Sequence, residues 1–395
     1  MKTRWNFYGY YFKYNQLNDL LETYKNNVSD IKTVNIFIDL QNALRTQYYD
    51  DSIQDGYYSV KSKERYSPIV FDTITYLART RSFFDSKNIK SRFIIYWDEG
   101  KCVYHTSLLK DYKHNRYIKS TVLPDEVVKT GLAFFKMQKR ILTELGNRLK
   151  DVYVIRMKNL ETDFMPHFIL KANPDLLTDL SHVNFLISAD KDLYQTTLLS
   201  KNVIQYVRAG KESFFVTNNN AMQRLIKSKD DNCDSSLLKC TFSIAGDPGD
   251  DIPSVLTRTG YITAYKICNY LKNINVDVNE LISKVAQGEQ IKIDLSEITN
   301  KTYRNKIQKL IENIDKWRDN IFLTLFDESY KYFNNEIKYD KIKVTSDYRR
   351  EVINTVKNIF INKEHIINYN VLKETINYIH RNEQLDNVCR VLCEV

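Results

Sequence analysis

Five short runs of β-branched and aromatic residues constrain this chain more than anything else in it. They are Val34 to Ile38 (VNIFI), Phe93 to Trp97 (FIIYW), Val152 to Arg156 (VYVIR), Val183 to Ser188 (VNFLIS) and Val203 to Val207 (VIQYV). Each is apolar continuously rather than at alternate positions, as in parallel strands buried on both faces. Helical stretches fill the intervals, for example Ile69 to Ser86 and Val127 to Leu149. Alternating strands and helices predict an α/β fold built on a doubly wound, mostly parallel sheet. At 395 residues, 43% of them hydrophobic, the chain can bury a large core and form two or three domains.

Acids follow these runs in a regular way. Asp39 comes directly after the first and Asp98 directly after the second; Glu161 and Asp163 follow the third in LETDF, and Asp190 and Asp192 follow the fourth in ISADKDL. In open α/β sheets, sites form outside the carboxyl ends of the strands, so these acids are expected to converge. Any one of them alone reads as a helix N-cap or a solvated loop residue. A further cluster stands in TFSIAGDPGDDIPSV. A chain with only 10 Gly and 6 Pro places two of each in GDPGDDIP, beside Asp247, Asp250 and Asp251. Eight acids, Asp247 and Asp250 included, are hard to assign as separate caps. Packed together without neutralisation they would raise one another's pKa values, so convergence implies divalent cations. Oxygen-only ligands suit magnesium or manganese rather than zinc, and two such ions about 4 Å apart are the usual device for phosphodiester hydrolysis.

The net charge of +9 favours a polyanionic partner, nucleic acid before anionic membrane. In LLKDYKHNRYIK, Lys110, Lys113, Arg116 and Lys119 recur at every third residue, so a helix would present a basic stripe with Tyr112 and Tyr117 beside it. A solvated charged face is the simpler reading of such a stripe. Its place shortly after Asp98 shifts that balance, because a lysine and an arginine near metal ions can bind a scissile phosphate and stabilise the charge that develops on it. No long apolar run and no signal-peptide core are present, so the expected location is the cytoplasm, with no membrane partner. The six cysteines form no CxxC pair, and Cys102 with His105 lacks a second pair, which reads as free thiols rather than zinc or disulfides.

In order and spacing, FIDLQN, WDEG, DYKHNR, LETDF, ISADKDL and IAGDPGDDIPSV resemble the 5′ nucleases of the flap endonuclease type. That family includes bacteriophage 5′-3′ exonucleases, phage ribonuclease H and the 5′-nuclease domain of DNA polymerase I. The resemblance covers roughly residues 33 to 275. It implies Asp39, Asp98, Glu161 and Asp163 around one magnesium ion and Asp190, Asp192, Asp247 and Asp250 around a second, with manganese able to substitute. It also implies Lys113 and Arg116 at the scissile phosphate, Tyr112 on a terminal base, and a helical arch near 105 to 135. A helix-hairpin-helix element at 246 to 290, with Gly260, would grip duplex around a potassium ion. The expected domains are then an extension at 1–32, the catalytic α/β domain at 33–245, that element, and a helical region at 291–395. The expected activity is structure-specific 5′-3′ exonuclease and flap endonuclease cleavage, with ribonuclease H activity a further option, in phage DNA replication within the host cell cytoplasm. Substrates would be DNA with a 5′ flap, nick or gap and RNA-DNA hybrid; single-stranded DNA-binding protein or replication machinery are candidate partners.

Three departures stand out. Phe164 occupies the place where the pattern often has an acid, which would cost the nearby metal a ligand. Asp251 stands where asparagine is usual and is expected to cap a helix starting near Ile252. Ser254 and Thr257 or Arg258 replace common glycines. Two alternative readings are a non-catalytic nucleic-acid-binding relative and a PIN-like endoribonuclease.

Overall fold

All five apolar runs form strands. The computed structural model describes residues 14–27, 30–40, 67–100, 102–115, 139, 142–143, 146, 149–209, 212–230 and 232–361. Strands β1 (Thr33–Asp39), β2 (Lys90–Glu99), β3 (Val152–Lys158), β4 (His182–Ile187), β5 (Val203–Ala209) and β6 (Glu212–Val216) form one sheet in the order β3-β2-β1-β4-β5-β6. The first five run parallel, and β6 returns antiparallel along the edge. The chain therefore winds outward from β1 in one direction and from β4 in the other, leaving a crevice between their carboxyl ends.

The continuous apolar runs follow from burial on both faces. Ile36, Ile38, Phe93, Ile95, Val183 and Phe185 pack on one side beneath α1 (Tyr14–Asn27) and α2 (Ser67–Asp85). The residues between them, including Phe37, Ile94 and Leu186, face the opposite core. Period-two alternation thus sends neighbouring side chains into two different apolar layers, and neither can be polar at low cost. One exception pins the register: Asn35 sits opposite Asn184 in the β1–β4 ladder and donates from its side-chain amide to Asn184 Oδ1 at 2.9 Å. A slip by one residue would bury both amides against apolar neighbours.

The second core is built by α3 (Val103–Leu108), α4 (Met165–Ala172), α5 (Leu238–Ala245), α6 (Tyr261–Asn273), α7 (Val278–Gln287), α8 (Lys301–Glu312), α9 (Ile314–Thr324), α10 (Phe326–Phe333) and α11 (Ser346–Lys357). Trp317 of α9 is fully buried and donates its indole N–H to Ser243 Oγ at 2.9 Å. Tyr104 of α3 reaches the Phe322 carbonyl at 3.0 Å. These bonds seat the C-terminal helices against the body. The N-terminal helix is seated likewise, with Tyr24 donating to the Leu180 carbonyl at 3.2 Å. Among the described residues, no helix is long and apolar enough to cross a membrane.

Two expected helices are corrected. The stretch from Leu108 is not one unbroken helix: α3 stops at Leu108, a turn follows in which Lys113 takes a left-handed backbone with φ 57°, and helical residues resume at His114 and Asn115, where the described residues of this stretch end. No continuous basic stripe therefore runs from Lys110 to Lys113. No helix starts near Ile252 either; the next one begins at Tyr261, and Asp251 itself has φ 61°. The expected helix at Val127 to Leu149 lies largely outside the described residues, as do Cys389 and Cys393.

Candidate active site

Because β1 to β4 are parallel, their carboxyl ends share one edge. Asp39 closes β1 and is buried, and Asp98 lies near the end of β2. After β3 the chain turns through a short 3-10 segment, Thr162–Phe164, where Thr162 donates its N–H and its hydroxyl to Asp98 Oδ1 at 2.7 and 2.8 Å. After β4, Asp190 Oδ1 accepts the Asp192 N–H at 2.9 Å, and Gln205 of β5 donates to the Asp190 carbonyl at 2.6 Å. The loops carrying the acids are thus tied to the sheet rather than left to solvent.

The glycine and proline of GDPGDDIP make the turn that brings in two more. Gly246 has φ 65°, and a Cβ there would lie 2.5 Å from the Ile252 carbonyl oxygen, so only glycine fits. Asp247 Oδ1 accepts the Gly249 N–H at 2.9 Å, and the Asp247 carbonyl accepts the Ile252 N–H at 2.9 Å. Asp247 and Asp250 are consequently 5% and 6% exposed. Donor oxygens of Asp192, Asp247 and Asp250 lie within 4.8 Å of one another. Asp251 faces elsewhere: its carboxylate accepts the Asn115 backbone N–H at 2.8 Å and the Asn115 side-chain amide.

The electrostatics follow from this crowding. Burial first, then Asp39, Asp190, Asp98 and Glu161, push the Asp163 carboxyl well above the usual range. Asp192 is pushed up by burial and by Asp190, Asp247 and Asp250, with Lys191 opposing. Asp190 is raised by burial and by Asp250 and Asp247, against its bond to the Asp192 N–H and the charge of Lys113. Asp192 Oδ1 is buried and has no hydrogen-bond partner. A buried carboxylate oxygen lacking a donor, in a set of oxygens only, fits a hard divalent cation.

Tyr112 and Lys113 reach the same edge. The Tyr112 hydroxyl donates to Glu161 Oε2 at 2.7 Å and to Asp250 Oδ2 at 3.1 Å. Lys113 Nζ pairs with Glu161 and lies 3.5 Å from Asp250 Oδ2, while its backbone N–H donates to the Asp250 carbonyl at 3.1 Å. The Tyr112 ring stacks on the buried His105 at 4.5 Å. Burial, then Lys113, lower the His105 pKa to about 3, so it stacks as a neutral ring. Lys110 is exposed, and Arg116 and Lys119 lie outside the described residues.

Phe164 requires a correction. It is 1% exposed and packs against Tyr104, His105, Phe168 and Phe326 with ring centroids 4.6 to 6.0 Å away. The 3-10 turn points Asp163 toward the other acids and Phe164 into the core beneath them. It is a packing residue, not a missing ligand. In the hairpin between α5 and α6, Arg258 adopts φ 56°, keeping a glycine-like backbone where the glycine pattern is altered. Gly260 precedes α6 with open space where a Cβ would stand.

Several residues at this edge escape a reading by motif. Thr162 fixes Asp98, Lys139 Nζ donates to the Asp98 carbonyl at 2.8 Å, and Lys191 Nζ donates to Asp247 Oδ1 at 2.8 Å. Lys191 stands between two site acids in DKD, a local signal that could have singled it out.

The fold is similar to two solved structures. One, described as divalent zinc ions bound to T5 5′-exonuclease, is 18% identical, with a TM-score of 0.53 over 83% of this chain and 99% of that one. The other, the T5 D15 protein co-crystallised with metal ions, is 17% identical, with a TM-score of 0.54 over 83% of this chain and all of that one. This chain therefore shares the fold of T5 5′-exonuclease. No family model and no curated protein matches it.

Proposed function

We propose that this chain is a divalent-metal-dependent 5′ nuclease that hydrolyses phosphodiesters near single-strand to duplex junctions. One observation carries the reading: Asp192, Asp247 and Asp250 converge within 4.8 Å at the crevice of the sheet, with a buried Asp192 oxygen lacking any donor. The T5 5′-exonuclease likeness supports it. Asp192, Asp247 and Asp250, with Asp190, would hold one magnesium ion, and Asp39, Asp98, Glu161 and Asp163 a second, with manganese able to replace either. When bound, such ions activate water and stabilise charge on phosphate oxygens.

The chain's own residues supply the rest. Lys113 rests on Glu161 in the free protein, beside the acids, and from there its ammonium is placed to meet the scissile phosphate. Arg116, three residues on in sequence, is the second cation assigned to that phosphate. Tyr112 holds Glu161 and Asp250 together; stacking on a terminal base would require its ring to leave His105. The α5–α6 hairpin, with Arg258 exposed and Gly260 open, is the assigned duplex contact. The substrates proposed are DNA with a 5′ flap, nick or gap, and RNA primers on DNA.

The test is magnesium-dependent cleavage of a 5′-flap DNA, a plain duplex and a single-stranded RNA, by the wild type and Asp192→Asn. The reading expects the flap to be cut and the variant to be inert. Cutting of the RNA alone would favour a PIN-like endoribonuclease. Binding without cleavage of any substrate would favour a non-catalytic relative.

A further inference from the structure

We propose that Lys191 is a positioning residue of this site, which fixes the Asp247 carboxylate and is itself fixed by the face of Tyr261. The inference rests on the two-metal reading above and extends it to residues outside the acid set. Lys191 Nζ donates to Asp247 Oδ1 at 2.8 Å, and the same oxygen accepts the Gly249 N–H at 2.9 Å. With two donors on Oδ1, the carboxylate is held in one rotation, and Oδ2 is the oxygen left to turn toward a cation shared with Asp192 and Asp250. Metal-ligating carboxylates are commonly oriented in this way, by a donor on the oxygen that does not ligate.

A lysine has a long flexible stem and holds a partner poorly unless something confines it. Here the confinement is aromatic: Nζ lies 4.7 Å from the centroid of the Tyr261 ring, a cation–π distance. Lys191 is only partly exposed, with 35% of its side chain open to solvent. The Tyr261 hydroxyl is buried without a hydrogen-bond partner, so it is the ring, not the hydroxyl, that meets the lysine. Tyr261 is also the first residue of α6, directly after Gly260. One lysine therefore ties the orientation of a metal carboxylate to the first turn of the helix assigned to duplex binding.

Charge and geometry make opposite demands on Lys191, and this gives the proposal its signature. An ammonium beside a cation site repels the cation, so removing it should not weaken metal binding. Losing the orientation of Asp247 should slow the reaction all the same. The experiment uses the full chain. Manganese binding to the DNA-free protein is measured by calorimetry, and cleavage of a 5′-flap DNA by single turnover at saturating magnesium. For Lys191→Met the expected result is manganese binding as tight as in the wild type or tighter, with the rate lowered about 10-fold or more. Lys191→Arg, which keeps the charge and the donors, should recover most of that rate. Tyr261→Leu should lose part of it and Tyr261→Phe should restore it; the double variant Lys191→Met with Tyr261→Leu should be no slower than Lys191→Met alone.

A Lys191→Met enzyme that cuts within twofold of the wild type overturns the proposal, as does a double variant in which the two losses multiply. If Lys191→Met fails to fold, as its melting curve would show, the Tyr261 pair decides: equal rates for Leu and Phe overturn it. A wild type that neither binds manganese nor cleaves overturns the metal reading beneath it and is seen before any variant is made.

Discussion

Asp192, partly buried, and Asp327, buried, are carboxylates of one molecule in regions that treat them oppositely. Asp327, on α10, is 6% exposed and is met by His167 Nε2 and Lys171 Nζ, each at 3.1 Å, and by Lys239 Nζ. Burial alone would raise its pKa, but His167, Lys239 and Lys171 hold it well below the usual carboxylate range. His167 is itself lowered, by burial first, so at neutral pH the lysines carry the compensating charge. Asp192 has a buried oxygen without a donor, and its neighbours are Asp190, Asp247 and Asp250. Where the fold needs only a joint between helices, charge is balanced within the chain. At the sheet edge a deficit of positive charge remains, only partly relieved by Lys113 and Lys191, and a bound cation would complete the balance.

The sharpest break between the two regions is removal of the uncompensated charge. Asp192→Asn should abolish magnesium-dependent cleavage while raising the metal-free melting temperature by a few degrees, because it relieves like-charge repulsion. An unchanged or lower melting temperature would mean that the acids do not strain the free protein. The mirror experiment is Asp327→Asn, expected to cost roughly 3 kcal/mol of stability in urea denaturation. That is the low end for breaking a buried ion pair, because Lys171 and Lys239 keep partial contact with water. A loss under about 1 kcal/mol would place Asp327 among ordinary surface pairs.

Lys113 sharpens the comparison, since it brings a compensating charge into the deficient region. Lys113→Ala should lower the single-turnover rate about 10²-fold and yet tighten manganese binding to the DNA-free protein, because its ammonium no longer occupies Glu161 and Asp250. Weaker manganese binding in this variant would show that Lys113 supports the acids rather than competing with cations for them. The smallest effect concerns pH. Asp163, Asp190 and Asp192 have raised folded pKa values, so the metal-free native state takes up protons before the unfolded chain does. Their destabilising effect therefore grows as pH rises and fades as it falls. Magnesium competes with those protons, so its gain in melting temperature should increase between about pH 5 and pH 8. The lowered values run the other way: the contribution of His167 is complete above about 6.5 and is lost on acidification, and that of Asp327 persists until pH falls below about 3.9. A magnesium gain independent of pH would contradict the raised carboxyl groups.

The parallel strands were legible because burial on both faces writes an unbroken apolar run, as in VNIFI and FIIYW. The edge strand β6 was not: it is five residues long, begins at Glu212 and is only partly buried, so no pattern accumulates. The placing of Asp39, Asp98, Glu161, Asp163, Asp190 and Asp192 at strand ends was legible because it repeats after the first four runs. The conformation of Lys113 was not, because its left-handed turn is held by a bond to the Asp250 carbonyl, far away in sequence. Phe164 was misread from the family's acidic pattern: adjacent residues of a 3-10 turn point in different directions, and Asp163 took the side facing the acids. Lys191 carried a local signal in its place between two site aspartates, but its partner, Asp247, lies 56 residues on and no spacing points to it.

The bond between Lys113 and the Asp250 carbonyl, with Asp39 already at the end of β1, also sets a timetable. From Asp39 to Asp250 is 211 residues (250 minus 39). At about 5–20 residues per second of synthesis, roughly 10–40 s separate the first acid from the last. During that interval the growing polypeptide carries strand-end carboxylates without Asp247, Asp250 or the turn that holds Lys113. A protein read as cutting nucleic acid would thus be inert while its ribosome is still attached to messenger RNA through that part of the coding region, and a prematurely released fragment would be inert as well.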